Sequence, residues 1–192
     1  MDDLTGWLEQ LTGGDDEKAE AAARRLPDFG LPALEALTRL ARDPQADVRW
    51  WALRALVEFS ATESKDLLRT ALEDQEPAVR QCAALGLRKQ PDPEAVPALI
   101  AGLQDPDRLF AALAADALVA IGEPSVPALL EVMENGPQAA RLEAVRALAE
   151  IGDQRAIPVL FNALDEDSAL IEHWASEGLE RMGVGMTFFK PG

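Results

Sequence analysis

The sequence predicts an all-α protein: an α-solenoid of six stacked helix pairs, about twelve helices in all. Three observations lead there. A unit of about thirty residues is written repeatedly along the chain. Apolar residues within each unit recur at helical spacing, and Gly, Pro, Asp and Asn fall where such helices would end or turn. The clearest copy is Val126 to Gly152, VPALLEVMENGPQAARLEAVRALAEIG. An apolar helix opens at Pro127, breaks at Asn135-Gly136-Pro137, and gives way to a second helix closing on Ile151-Gly152.

The copies register on a leucine near the end of each second helix: Leu26, Leu56, Leu87, Leu118, Leu148 and Leu179, in steps of 30, 31, 31, 30 and 31 residues. Their bounds are approximately 1–30, 31–60, 61–91, 92–122, 123–152 and 153–183, read as a single repeat domain over 1–183. Four residues past each leucine stand Gly30, Ser60, Pro91, Gly122, Gly152 and Gly183, and glycine suits a helix C-terminus. The first helices carry Trp7, Leu37, Leu68, Leu99, Leu129 and Leu160 on the face shared with Leu11, Ala41, Leu72, Leu103, Met133 and Leu164.

Taken in order, Asp2 to Leu11 is the first helix, Thr12-Gly13-Gly14 a turn, and Asp15 or Asp16 the cap of the second helix. Pro97, Pro127 and Pro158 share one position just inside their first helices, where a missing N–H costs nothing. Pro32 comes three residues earlier in its copy, so that helix should begin a turn sooner. The turns inside the pairs are acidic or polar: Asp43-Pro44, Asp74, Asp105-Pro106, Asn135-Gly136-Pro137 and Asp165-Glu166-Asp167. Their side chains are expected to cap the N–H groups of the helices that follow. No copy can bury its apolar face alone, whereas stacked copies can.

Apolar residues make up 48% of the 192, enough to bury a core. Acidic side chains outnumber basic ones 34 to 18, a formal net charge of -16. That field opposes binding to nucleic acid or to an anionic membrane. Cys82 is the one cysteine, so no internal disulfide forms, which fits a reducing compartment. The start, Met1-Asp2-Asp3, is acidic where a secretory signal needs positive charge, and no apolar run approaches the ~18 residues of a membrane span. The expected location is cytoplasmic.

A Pro-containing helix, an acidic turn, then Val-Arg-x-x-Ala and Leu-Gly-x-Ile-Gly form a pattern that resembles the short HEAT-like repeats of the phycobilisome (PBS) lyase family. Here it reads Val48-Arg49 with Ala52 and Leu56, and Val79-Arg80 with Ala83 and Leu87. Later copies have Phe110-Ala111, Ala140-Arg141 and Ile171-Glu172, departing at the arginine or the valine. The resemblance covers nearly all of 1–183. It implies a right-handed solenoid, and a ladder between Asp43, Asp74, Asp105 and Asp165 and Arg49, Arg80 and Arg141. Capping and ion pairing are the expected role of that ladder.

No catalytic, cofactor or metal constellation is expected. His173 has Glu177 one turn on, but a single histidine followed by Trp174 lacks the repeated His-Glu pairs of the iron-binding HEAT-like hydroxylases. Cys82 has no activating neighbour in sequence. Asp165-Glu166-Asp167 lacks the glycine and distal glutamate of a calcium loop, and neither a phosphate loop nor a nucleophile elbow occurs. Trp50, Trp51 and Trp174 raise a DNA-alkylation glycosylase, which the acidic charge opposes.

Projecting the second helices at 100° per residue leaves a strip opposite the packed face, which in HEAT-type stacks is concave. It holds Trp50, Arg54, Val57, Leu85, Arg88, Val119, Leu142 and Arg146, and turns acidic in the last copy. Trp and Arg are frequent binding hot spots. The leading expectation is therefore a non-catalytic scaffold or adaptor, not an enzyme, binding another protein or peptide through this strip, with no nucleic acid and no membrane. The alternative implied by the resemblance is a bilin lyase-like subunit acting on a chromophore-bearing protein. The apolar tail, 184–192, is expected to cap the last copy or else to pair two chains, giving a monomer or a tail-mediated homodimer.

Overall fold

The computed structural model describes residues 3–166 and 168–184, and their regular structure is entirely helical. The chain forms two compact units, Met1–Asp92 and Pro93–Gly192. The first contains α1 (Leu4–Thr12), α2 (Asp16–Arg25), α3 (Leu31–Leu40), α4 (Ala46–Leu56), α5 (Thr62–Ala71) and α6 (Pro77–Lys89). The second contains α7 (Val96–Gly102), α8 (Arg108–Ile121), α9 (Val126–Asn135), α10 (Gln138–Ile151), α11 (Ile157–Ala163) and α12 (Ala169–Arg181). Consecutive odd and even helices pair. In the first unit α4 packs on both α2 and α6, and in the second α10 packs on both α8 and α12.

The repeat register sets the core. Five of the six leucine anchors, Leu26, Leu56, Leu87, Leu118 and Leu148, have no exposed surface, and Leu179 keeps only 2%. Each such side chain contributes about 1.5–3 kcal/mol of burial. Leu37, Leu68, Leu99, Leu129 and Leu160 are likewise fully buried, while Trp7 at the first copy is half-buried. Small residues let the even helices approach closely: α8 turns Ala111, Ala114, Ala115 and Ala117 inward, all fully buried.

Helix starts follow the prolines. Pro97, Pro127 and Pro158 are each the second residue of α7, α9 and α11, after short 3-10 turns at Pro93–Ala95, Glu123–Ser125 and Gln154–Ala156. Pro32 sits second in α3, which begins a turn sooner, as its spacing predicts. Helix ends follow the glycines. Gly122 (φ 76°) and Gly152 (φ 69°) occupy the positive-φ region that a side chain would oppose. The second copy has Ser60 there instead, and a side chain from the next copy compensates. The Gln90 amide donates to the carbonyls of Val57 and of Phe59, the latter at 3.0 Å.

The turn aspartates act in two ways. Asp15 accepts from Lys18 N (3.2 Å) inside α2, and Asp107 from Leu109 N (3.0 Å) and Phe110 N (3.4 Å) inside α8. Asp43 and Asp74 instead accept from the N–H of Gln45 (2.8 Å) and Glu76 (2.9 Å), residues just ahead of α4 and α6. They close the turn rather than cap the helix, because two residues separate each of them from the first residue of its helix, whereas Asp15 and Asp107 directly precede theirs.

The ladder has rungs. Arg49, only 7% exposed, donates to Asp74 through Nε and Nη2, both at 2.7 Å, and through Nη1 to the carbonyls of Asp43 (2.9 Å) and Pro44 (3.1 Å). Arg80 donates to the Asp74 carbonyl at 2.9 Å. In the last turn Arg141 pairs with Glu166, not with Asp165, whose shorter side chain is exposed. Asp167 and the tail from residue 185 onward lie outside the described residues, and with them the expected cap or pairing segment.

Candidate functional site

In the first unit the strip residues come from α4 and α6. Trp50 is half-buried, Leu85 is 47% exposed, Arg88 is exposed, and Val57 is buried. Val57 is covered because Gly86 of α6 has no Cβ: one placed there would lie 2.7 Å from a Val57 methyl. Arg54 is held on both sides, 2.6 Å from Glu20 of α2 and 2.7 Å from Glu58. Glu20 also pairs with Arg24 (2.8 Å), and Glu58 with Lys89 of α6 (2.8 Å). The result is a ribbon of alternating charge, Arg24–Glu20–Arg54–Glu58–Lys89, across three helices. The Lys89 bond lowers the Glu58 carboxyl, burial pushes it back, and Arg54 leaves it below its ordinary value.

In the second unit Val119 and Leu142 are half-buried, and Arg146 is the centre of a like arrangement. Its guanidinium donates to Asp116 of α8 (2.8 Å), Glu150 (3.1 Å), Glu143 (3.3 Å) and the Ala112 carbonyl (3.0 Å). Burial works against this charge, and the bond to Asp116 leads the groups that outweigh it. Arg54 and Arg146 are thus each surrounded by carboxylates and are not open sites for an anion.

An open cleft of about 690 Å³ lies at the turn end of the first unit. The 12–14 turn, Asp16, Asp47, Val48, Trp50, Trp51 and Ala78 line it. The two indoles stand edge to face, centroids 4.7 Å apart and planes at 84°. Trp51 as a wall of this cleft was not foreseen: it falls outside the helical strip, and the turn that faces it comes from another copy.

Cys82 is buried and donates to the Trp50 carbonyl at 3.7 Å, and burial pushes its thiol up to about 12. That makes it a packing residue, not a nucleophile. His173 is exposed, its ring 5.4 Å from that of Trp174. Among the described residues no three His, Cys, Asp or Glu side chains are grouped to hold a metal, and no single helix is long and apolar enough to cross a membrane.

Paired helices in register, with aspartate turns and glycine ends, define a helical-repeat protein of the α-solenoid class. The model of the family described as HEAT repeats matches residues 4–80, 66–140 and 126–185, and the chain belongs to that family. Its repeats are of the HEAT-like kind seen in phycobilisome lyases. It is 35% identical over 113 residues to a phycobilisome maturation protein of Synechococcus elongatus, covering 58% of this chain and 54% of that one. It is 38% identical over 105 residues to phycocyanobilin lyase subunit beta of Nostoc sp., covering 54% and 52%. The chain thus spans about half the length of these two relatives. In fold it is similar to the complex of CpcE and CpcF of phycocyanin lyase from Nostoc sp., with a TM-score of 0.56 and 22% identity over 95% of this chain and 78% of that one.

Two expectations need correction. The relatives are named as subunits of a bilin lyase and as a phycobilisome maturation protein, not as adaptors. This overturns the non-catalytic scaffold as the leading reading, and with it the expectation that the chain is not an enzyme, and favours the lyase-subunit alternative. The physical reason for the miss is that one fold hosts both kinds of protein, and repeat spacing reports the fold rather than the chemistry.

Proposed function

We propose that the chain is a subunit of a bilin lyase-like enzyme that acts on a chromophore-bearing protein. The observation that carries this reading is 38% identity over 105 residues to a protein named phycocyanobilin lyase subunit beta. Two features of the chain fit a subunit role. Its one cysteine, Cys82, is buried between helices, which fits a chain that does not itself carry the pigment. The strip side chains that keep exposed surface offer faces for other chains, Trp50, Leu85 and Arg88 in the first unit and Val119 and Leu142 in the second, whereas Val57 is buried and Arg54 and Arg146 are held in ion pairs. The heads of Arg54 and Arg146 are already neutralised, so apolar surface at Trp50, Leu85 and Leu142 supplies the adhesion, and the charge ribbons set its orientation.

The test is co-production of this chain with a second lyase subunit, a phycocyanin subunit lacking pigment, and phycocyanobilin. Covalent pigment is read by fluorescence after denaturing electrophoresis. The reading expects attached pigment that disappears when this chain is omitted. Equal attachment with and without the chain, across the available partner subunits, would overturn it.

A further inference from the structure

We propose that the Trp50–Trp51 cleft of the first unit receives a basic side chain, an arginine above all, from the protein on which the enzyme acts. The proposal rests on the preceding reading only in taking the ligand's owner to be a protein. Its argument is local to the cleft.

The cleft is large enough for a side chain and its flanking backbone: about 690 Å³, within the range of about 300–1,000 Å³ of ligand sites. Two half-buried indoles, set edge to face against each other, line it. Ring faces attract cations through their quadrupole, and a guanidinium, flat and weakly hydrated, stacks on them better than an ammonium.

The charges at the mouth agree. Asp16 and Asp47 line the cleft and are exposed, and neither makes a salt bridge or side-chain hydrogen bond among the described residues. Other carboxylates of the same unit are engaged, Asp15 with Lys18, Glu20 with Arg54, Glu58 with Lys89 and Asp74 with Arg49, whereas Glu17 beside Asp16 is exposed like it. No lysine or arginine lines the cleft. Both aspartates lie in the first turns of α2 and α4, whose positive ends they partly neutralise. A helix end carries only about half a unit charge, so each carboxylate leaves a net negative remainder. An anionic ligand would therefore meet repulsion here, and a cation would find two acceptors beside two indoles.

The test is titration of the full-length chain with acetyl-Gly-Arg-Gly-Arg-amide at low salt, read by calorimetry and by tryptophan fluorescence. The control peptide replaces each arginine by citrulline, its uncharged isostere. We expect saturable binding of the arginine peptide, weaker by on the order of tenfold for citrulline. The variant Asp16→Asn with Asp47→Asn should lose a similar factor while its circular dichroism stays unchanged. Because it removes two charges from a net of -16, general attraction to an acidic protein would change little. Equal affinity for both peptides, no saturation into the millimolar range, or undiminished binding by the double variant would each overturn the proposal. None of these readouts needs pigment attachment, so this proposal and the lyase reading fail separately.

Discussion

Arg49 shows how a single side chain is made safe inside a repeat. The residue is 7% exposed, and its guanidinium spends its donors on one carboxylate and two carbonyls. Burial would raise the Asp74 carboxyl, but the Arg49 bonds and the Glu76 N–H outweigh it and hold it below the usual range. Replacing Asp74 by alanine leaves the buried cation half-answered and should cost about 3 kcal/mol in urea denaturation. The paired change Arg49→Met with Asp74→Leu should recover most of that loss, since it removes both charges. This rung was legible through the resemblance to HEAT-like repeats, which implies a ladder of turn aspartates and helix arginines. Which carboxylate closes the rung at Arg141 was not, since three acids stand in a row there, and of the two described, Asp165 and Glu166, the longer makes the pair.

At the scale of the helix, spacing said more than composition. The 30–31 residue step alone picks out leucines that turn out fully buried. It also held a signal that went unread. Asp116 and Arg146 lie 30 residues apart and Glu58 and Lys89 lie 31 apart, so opposite charges at one register position of neighbouring copies meet across the helices. The strip projection treated Val57 as outward, but it takes no account of how close a neighbour can come, and Gly86 brings α6 onto it. Glycine plays the same part at α12. A Cβ on Gly178 would lie 2.8 Å from the Ala149 Cβ and 2.9 Å from its Cα, and backbone of α10 cannot turn aside. Gly178→Ala should therefore destabilise the second unit by about 1–3 kcal/mol despite the better helix propensity of alanine. A thermal melt no lower than that of the native chain would contradict this packing.

For the whole molecule, acidity is the dominant property. Folding lowers the carboxyls of Glu58 and Asp74 and holds Asp153, bonded to Arg155, down to about 2. Each then favours the folded chain above its ordinary value, 4.5 for Glu and 3.8 for Asp, and gives up that contribution as pH falls through the folded value. Stability should hold from neutral pH down to about 5 and drop between about 4 and 2, followed by the urea midpoint at a series of pH values. A midpoint that rises in acid would mean that relief of the -16 self-repulsion outweighs the loss of paired carboxylates.

The alternating ribbon of the first unit also bears on how such a protein could be lengthened. Glu20 and Trp50 occupy one register position in successive copies, and Arg54 reaches back to the former. If α3 and α4 were duplicated as a cassette, the second Arg54 would find an indole where the first finds a carboxylate. The six bricks share a blueprint, but their mortar is directional, and transposing one leaves a cation stranded at the seam.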